Sequence, residues 1–189
     1  PQAIALIQGA PAVDGFKVFR QSNESYYLCG LESPHAYLML DGRTRRTTLY
    51  LSHRDEATER GTGAVWSAED HEEVKRLTGV DEVAPVEQLS RKFSSPMLRA
   101  PRPALYVPFS PAEGEAQSRD ELLGHQAGVA ADPWDGRPSR EAHFLRLLDE
   151  RLPSLERRNL TPILDSLRMV KSAREIELIR QASVLAGLG

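Results

Sequence analysis

Short apolar runs broken by turn residues fill the first half of the chain, and helical spacing of apolar residues fills much of the second. Residues 3–8 (AIALIQ) are closed by Gly9, Ala10 and Pro11, a pattern that predicts a buried strand. Val18 and Phe19 are candidates for a second. Residues 23–29 suit a short helix stopped by Gly30 and Pro34. Residues 36–40 and 47–51 read as two strands, and the Asp41-Gly42 pair between them marks a hairpin with a basic, solvated tip.

Residues 67–78 (SAEDHEEVKRLT) predict a helix. Ser67 can cap it, Glu69 and Asp70 sit at the positive end of its dipole, Lys75 and Arg76 at the negative end, and Gly79 stops it. A short strand over 80–84 and a helix over 86–93 follow. Residues 105–107 are apolar between prolines, which predicts an edge or terminal strand. Residues 108–140 are rich in proline, glycine and alanine and read as a long, partly mobile excursion. It carries one helical piece, opening at Ser118 with Glu121 three residues on. Helical spacing resumes over 141–152, and residues 164–170 read as a last strand.

The most informative element is the last. In residues 171–189, Ser172 and Glu175 form a capping box. Ile176, Leu178, Ile179, Ala182, Leu185 and Ala186 cover roughly half of the helix circumference, wider than the ~100° stripe needed to rest on one core. A second body is therefore expected against this helix. The alternation of short strands and helices predicts an α/β domain over residues 1–170. Its β-sheet should be mixed, because of the hairpin, and flanked by helices on both faces.

Composition adds bounds. The chain has 189 residues, 40% hydrophobic and 27% charged, with a net charge of −3. Mixed signs give no broad cationic footprint, so nucleic acid is not an expected partner. No apolar run approaches the ~20 residues of a membrane span, and no charged-then-apolar leader opens the chain. The expectation is a cytoplasmic protein without a membrane partner. A single cysteine excludes an internal disulfide.

Candidate chemistry is sparse. The five histidines, His35, His53, His71, His125 and His143, include no helical pair around a glutamate of the zinc-peptidase kind. His71 lies among Glu69, Asp70, Glu72 and Glu73, but adjacent helical residues point apart, and a solvated acidic face is expected. Cys29 reads as a buried small side chain rather than a nucleophile. Gly61-Thr62-Gly63 reads as a loop and not as half of a phosphate cradle, and no G-x-S-x-G elbow is present. Trp66 and Trp134 fall in loop-like contexts.

Four segments, in order, resemble the N-terminal domain of Xaa-Pro aminopeptidases and prolidases, metallopeptidases that share a catalytic fold with creatinase. They are Phe19-Arg20-Gln21 with Tyr26-Tyr27-Leu28-Cys29-Gly30, then TLYLSHRD (48–55), GVDEV (79–83) and LRMVKSAREIELIRQA (167–182). The resemblance leaves out residues 108–160. It implies a creatinase-type N-terminal domain with a ribonuclease H-like motif, and a helix at 171–189 leading into a catalytic domain outside this chain. It also implies that the metal ligands of the family, two aspartates, a histidine and two glutamates, belong to that other half. None of their motifs occurs here. The chain alone is thus expected to be inactive and without cofactor, with a divalent metal, manganese by family habit, in the full-length protein.

The implied partners are the chain's own catalytic domain, further copies in a homodimer or larger oligomer, and short proline-containing peptides. Arg20, Gln21, Tyr27, Gly30, Arg54, Asp55, Trp66, Ile176, Leu178 and Leu185 become expected interdomain or subunit contacts. Arg20 offers a planar fork of donors, so it is expected to order the loop facing the catalytic half or a partner subunit. Tyr26, Tyr27 and Leu28 are expected to supply buried area. Two departures stand out. The family's W-x-G-x-R after Arg-Asp falls on residues 61–65, so that Trp66 takes the tryptophan's place only after a loop shift. Cys29 stands where threonine or serine is usual. A creatinase-like C–N hydrolase, a free-standing interaction module, and an independent hydrolase using Cys29 or a histidine are the alternatives.

Overall fold

The computed structural model describes residues 2–13, 15, 17–94, 103–114 and 117–187. Within them a six-stranded sheet runs in the order β4-β3-β2-β1-β5-β6. The strands are β1 (Ile4–Gln8), β2 (Tyr37–Asp41), β3 (Arg46–Leu51), β4 (Glu82–Pro85), β5 (Leu105–Val107) and β6 (Arg157–Asn159). β2 pairs antiparallel with both β1 and β3, whereas β4 joins β3, β5 joins β1 and β6 joins β5 in parallel. The sheet is mixed, as the hairpin requires.

The eight α-helices among the described residues are α1 (Asn23–Cys29), α2 (Glu56–Thr62), α3 (His71–Thr78), α4 (Gln88–Ser94), α5 (Arg119–Ala131), α6 (Arg140–Arg151), α7 (Thr161–Met169) and α8 (Ala173–Ala186). A 3-10 turn over Ala68–Asp70 precedes α3. Period-two alternation sorts the strand side chains into two cores. On one face Ile7, Leu38, Leu49 and Leu51 pack with Cys29 of α1, Val74 of α3 and Leu164 of α7. On the other Ile4, Leu6, Met39, Tyr50, Leu105 and Val107 pack with Leu89 and Phe93 of α4 and with Phe144 and Leu148 of α6. Burial on both faces explains why the β1, β2 and β5 sequences are nearly continuous apolar runs.

Several expectations are corrected. Val18 and Phe19 form no strand, and Val18 is exposed. Residues 105–107 are not an edge strand: β5 lies inside the sheet, between β1 and β6. The edge on that side is β6, whose Arg157-Arg158-Asn159 has no apolar alternation to announce it; charges on an edge discourage pairing with another chain. Residues 164–170 belong mostly to helix α7, begun by Pro162 in its first turn and held by Leu164 in the core. A run this short and mixed fits either period. Gly61 and Thr62 end helix α2 instead of forming a loop, because Asp55 caps that helix by accepting the Ala57 and Thr58 amides. The stretch over 108–140 contains α5, which starts at the expected Ser118–Glu121 capping box. Tyr26 and Tyr27 are largely exposed, so of the three expected to be buried only Leu28 packs against the core.

Candidate functional site

The loop before α1 is built around Gln21, not Arg20. Gln21 is buried; its Oε1 accepts the amides of Ala10 and Ser22, and its Nε2 donates to the Ser33 carbonyl at 2.8 Å. Gly9 makes room for it: a Cβ there would lie 2.9 Å from Gln21 Nε2 and 3.0 Å from the Ala36 carbonyl oxygen. Arg20 is exposed and among the described residues pairs with Glu32, at 3.1 Å. Gly30 ends α1 in the left-handed region, φ +66°, and its amide donates to the Tyr26 carbonyl.

Helix α1 is joined to α7 by a cluster of charges. Glu24 on α1 is 3% exposed. Its Oε1 lies 3.4 Å from Arg168 Nη1 and 3.5 Å from Arg119 Nη2. Arg119, on α5, also grips Asp165 of α7 with two bonds of 2.7 and 2.8 Å, and Arg168 Nη2 bonds Glu113 at 3.1 Å. Tyr27 adds a hydroxyl bond of 3.2 Å to the Leu167 carbonyl. Glu24 Oε2 and Arg119 Nε are buried without a hydrogen-bond partner. Burial pushes the Glu24 carboxyl up, against the pull of Arg168 and Arg119, whereas Arg119 holds Asp165 below the usual carboxylate range.

This raised value has a measurable consequence. Between the ordinary and the folded pKa of Glu24, the native state binds more protons than the unfolded chain. The stability contributed by protonation is complete below the ordinary value of 4.5 and is lost as pH rises through the folded one. Glu24→Gln keeps the shape and stays neutral. Its stability should therefore improve relative to the parent as pH is raised from about 4 to 7, as read by urea unfolding at both values. A difference that moves the other way with pH contradicts the assignment.

Helix α7 leads into α8, which has no buried residue. Its apolar side chains stand in solvent: Ile176 is 39% exposed, Leu178 57% and Leu185 71%. Leu178 and Leu185 are seven residues apart, on one outer stripe, whereas Ile176 lies on another side of the helix. Leu167, Met169 and Val170 extend the exposed apolar surface back towards Tyr27.

Arg54, Asp55 and Trp66 lie elsewhere, beyond the end of β3. The Arg54 amide donates to Glu69 Oε2 at 2.9 Å, and its guanidinium pairs with Asp70. Asp55 is spent on the α2 cap, which holds its carboxyl low. Trp66 packs against the first core, with its carbonyl accepting the Ser33 hydroxyl at 2.8 Å. His53 bonds Glu69 at 2.6 Å, which raises the histidine and holds Glu69 down at about 2. The structure thus brings Gln21, Gly30 and Tyr27 together around α1, Arg54, Asp55 and Trp66 at the sheet end, and Ile176, Leu178 and Leu185 on α8. The Glu24–Arg119–Asp165–Arg168 cluster has no signal in sequence spacing, because its members come from three separated helices.

Cys29 is buried, its thiol pushed up by desolvation and donating to the Ser25 carbonyl. Among the described residues no three histidine, cysteine or acidic side chains converge on a metal position. The residues present therefore do not fit the family's metal centre. No helix among them is long and apolar enough to cross a membrane.

A mixed sheet between two helical layers, with a polar loop fastened by a buried glutamine, defines the class of domain. A family model described as "Aminopeptidase P, N-terminal domain" matches residues 1–106. The chain belongs to that family. Among solved structures it is similar to a putative aminopeptidase P from Bacillus anthracis, with 19% identity and a TM-score of 0.69 over 95% of this chain and 39% of that one. It is also similar to proline aminopeptidase P II from Yersinia pestis (21%, 0.61, 100% and 40%) and to aminopeptidase P from E. coli with the inhibitor Pro-Leu (21%, 0.59, 96% and 38%). At these identities the likeness is one of fold. The chain spans about two fifths of the length of these relatives. No curated protein matches it.

Proposed function

We propose that this chain is the non-catalytic N-terminal domain of a proline-specific metallopeptidase, an Xaa-Pro aminopeptidase or dipeptidase. The observation that carries the reading is the uncovered apolar surface of α8, in a domain of the aminopeptidase P N-terminal family. Exposed leucines on one stripe are unfavourable in water by roughly 1.5–3 kcal/mol each when a covering body is available. The body proposed is the catalytic half continuing from α8. It would hold the divalent metal, manganese in this reading, and a metal centre would there activate water against a peptide bond next to proline.

The domain's own work is mechanical. Tyr27, Leu167 and the Glu24 cluster fix the direction in which α7 delivers α8, and so the seat of the catalytic half. The surface at Arg54, Asp55 and Trp66 is assigned to contact with a further copy in a cytoplasmic homo-oligomer, narrowing the active-site mouth to short peptides. One relative is a zinc-substituted aminopeptidase P in complex with product, in keeping with a metal requirement in the whole protein. The test is expression of the full reading frame around this segment, assayed on Xaa-Pro peptides and on creatine with and without chelator. Chelator-sensitive cleavage before proline is expected. Creatine hydrolysis, or a full protein lacking both activities, overturns the reading.

A further inference from the structure

Helices α4 and α6 lie on the same face of the sheet, and a cleft of about 420 Å³ runs between them. Leu6 of β1 forms its floor, Leu89 and Phe93 of α4 one wall, and Phe144, Leu147 and Leu148 of α6 the other. Leu6 and Leu148 are buried, whereas Leu89, Phe93, Phe144 and Leu147 keep part of their apolar surface open. Among the described residues Arg151, in the last turn of α6, is the one charged side chain lining the cleft. It is exposed, and the two acids before it are taken: Asp149 pairs with Arg157 and Glu150 with Arg146. The other polar groups offer little. The Tyr37 hydroxyl is engaged by Gln8 Nε2 at 3.0 Å, and the Ser94 hydroxyl turns back to the Ser90 carbonyl.

We propose that this cleft binds a free medium-chain fatty acid, its alkyl chain laid between the leucine and phenylalanine walls and its carboxylate at Arg151. Shape, polarity and charge each select this class. Clefts of roughly 300–1,000 Å³ with apolar walls and a few polar groups are the usual form of small-ligand sites. A cavity of ~150 Å³ holds the six carbons of benzene, so a cleft nearly three times as large holds a chain of about ten. A peptide segment in the same place would bring N–H and C=O groups that these walls cannot pair, at a desolvation cost. An alkyl chain brings none. A single terminal anion then supplies the charge-assisted bonds that Arg151 lacks within this chain's described residues.

The test is isothermal titration of the 189-residue chain with hexanoate, octanoate and decanoate, and with the dipeptide Leu-Phe. Saturable binding of decanoate with Kd of about 0.1 mM is expected, weakening about tenfold for every two methylenes removed. Ser90 stands exposed on the α4 side of the cleft, so Ser90→Trp should fill the space and weaken binding at least tenfold. If that variant fails to fold, Ser94→Trp on the same wall decides. Arg151→Gln should weaken decanoate about fivefold, the scale of one partly solvated charge contact. Leu178→Asp with Leu185→Asp should leave decanoate binding in place, which separates the cleft from the apolar surface of α8. No saturable binding, affinity independent of chain length, or Leu-Phe binding as tightly as decanoate overturns the proposal. So does binding that survives both tryptophan variants, is unchanged in Arg151→Gln, or is lost in the α8 variant. None of these outcomes depends on the peptidase activity of the whole protein.

Discussion

Arg119→Ala should destabilise the domain by about 3 kcal/mol at neutral pH. Arg119 is the hub that joins α5, α1 and α7. It makes the paired bonds to Asp165 and flanks Glu24. Glu24 is the reason for the size of the effect: a carboxylate in this degree of burial has lost its hydration, and removing one of its two cationic neighbours leaves it poorly compensated. Arg168 still reaches Glu24 and Asp165 is partly open to water, which keeps the loss toward the lower end of the range for broken buried pairs. For a domain of this length the fall in Tm is about 6–12 °C. Arg119→Lys should recover only part of it, since an ammonium cannot make the two parallel bonds. A loss within about 0.5 kcal/mol would make the cluster an ordinary surface network.

The second large effect is expected in the whole protein and not in this chain. Leu178→Asp with Leu185→Asp places two carboxylates on the outer stripe of α8. Both positions are already in water here, at 57% and 71% exposure, so the isolated chain should change by no more than about 0.5 kcal/mol. On the proposed reading, the same carboxylates in the full-length protein would be forced under the catalytic half, where an unpaired charge costs several kcal/mol. Purification should then give a protein with separated or unstable halves and a loss of peptidase activity of about 100-fold or more. Equal loss of stability in the isolated chain would mean that α8 belongs to the core of this domain.

The residues that sequence reasoning placed well are those whose burial is decided locally. β1 and β2 are apolar on both faces, β3 is so over Leu49–Leu51, and turn chemistry at Gly9 and at Asp41-Gly42 bounds them. α8 announces itself through Ser172, Glu175 and a wide apolar face. β6 could not be found that way, since Arg157-Arg158-Asn159 owes its strand form to the β5 edge beside it. α7 was lost to a period shared by helix and strand over a few residues. In the loop before α1, Arg20 offers the stronger donors, yet Gln21 takes the buried position. Its amide accepts from the Ala10 and Ser22 N–H groups while donating to the Ser33 carbonyl, with no charge to bury, whereas a guanidinium has no acceptor. The Glu24 cluster links residues more than 140 positions apart, a distance over which spacing carries no information.

In the proposed reading the catalytic half covers the apolar face of α8, and hydrogen exchange over residues 173–186 tests that most directly. In the 189-residue chain these amides should exchange fast, as in a helix packed on nothing; in the full-length protein they should slow by about 100-fold or more. The same fast exchange in both proteins would show that nothing closes over α8.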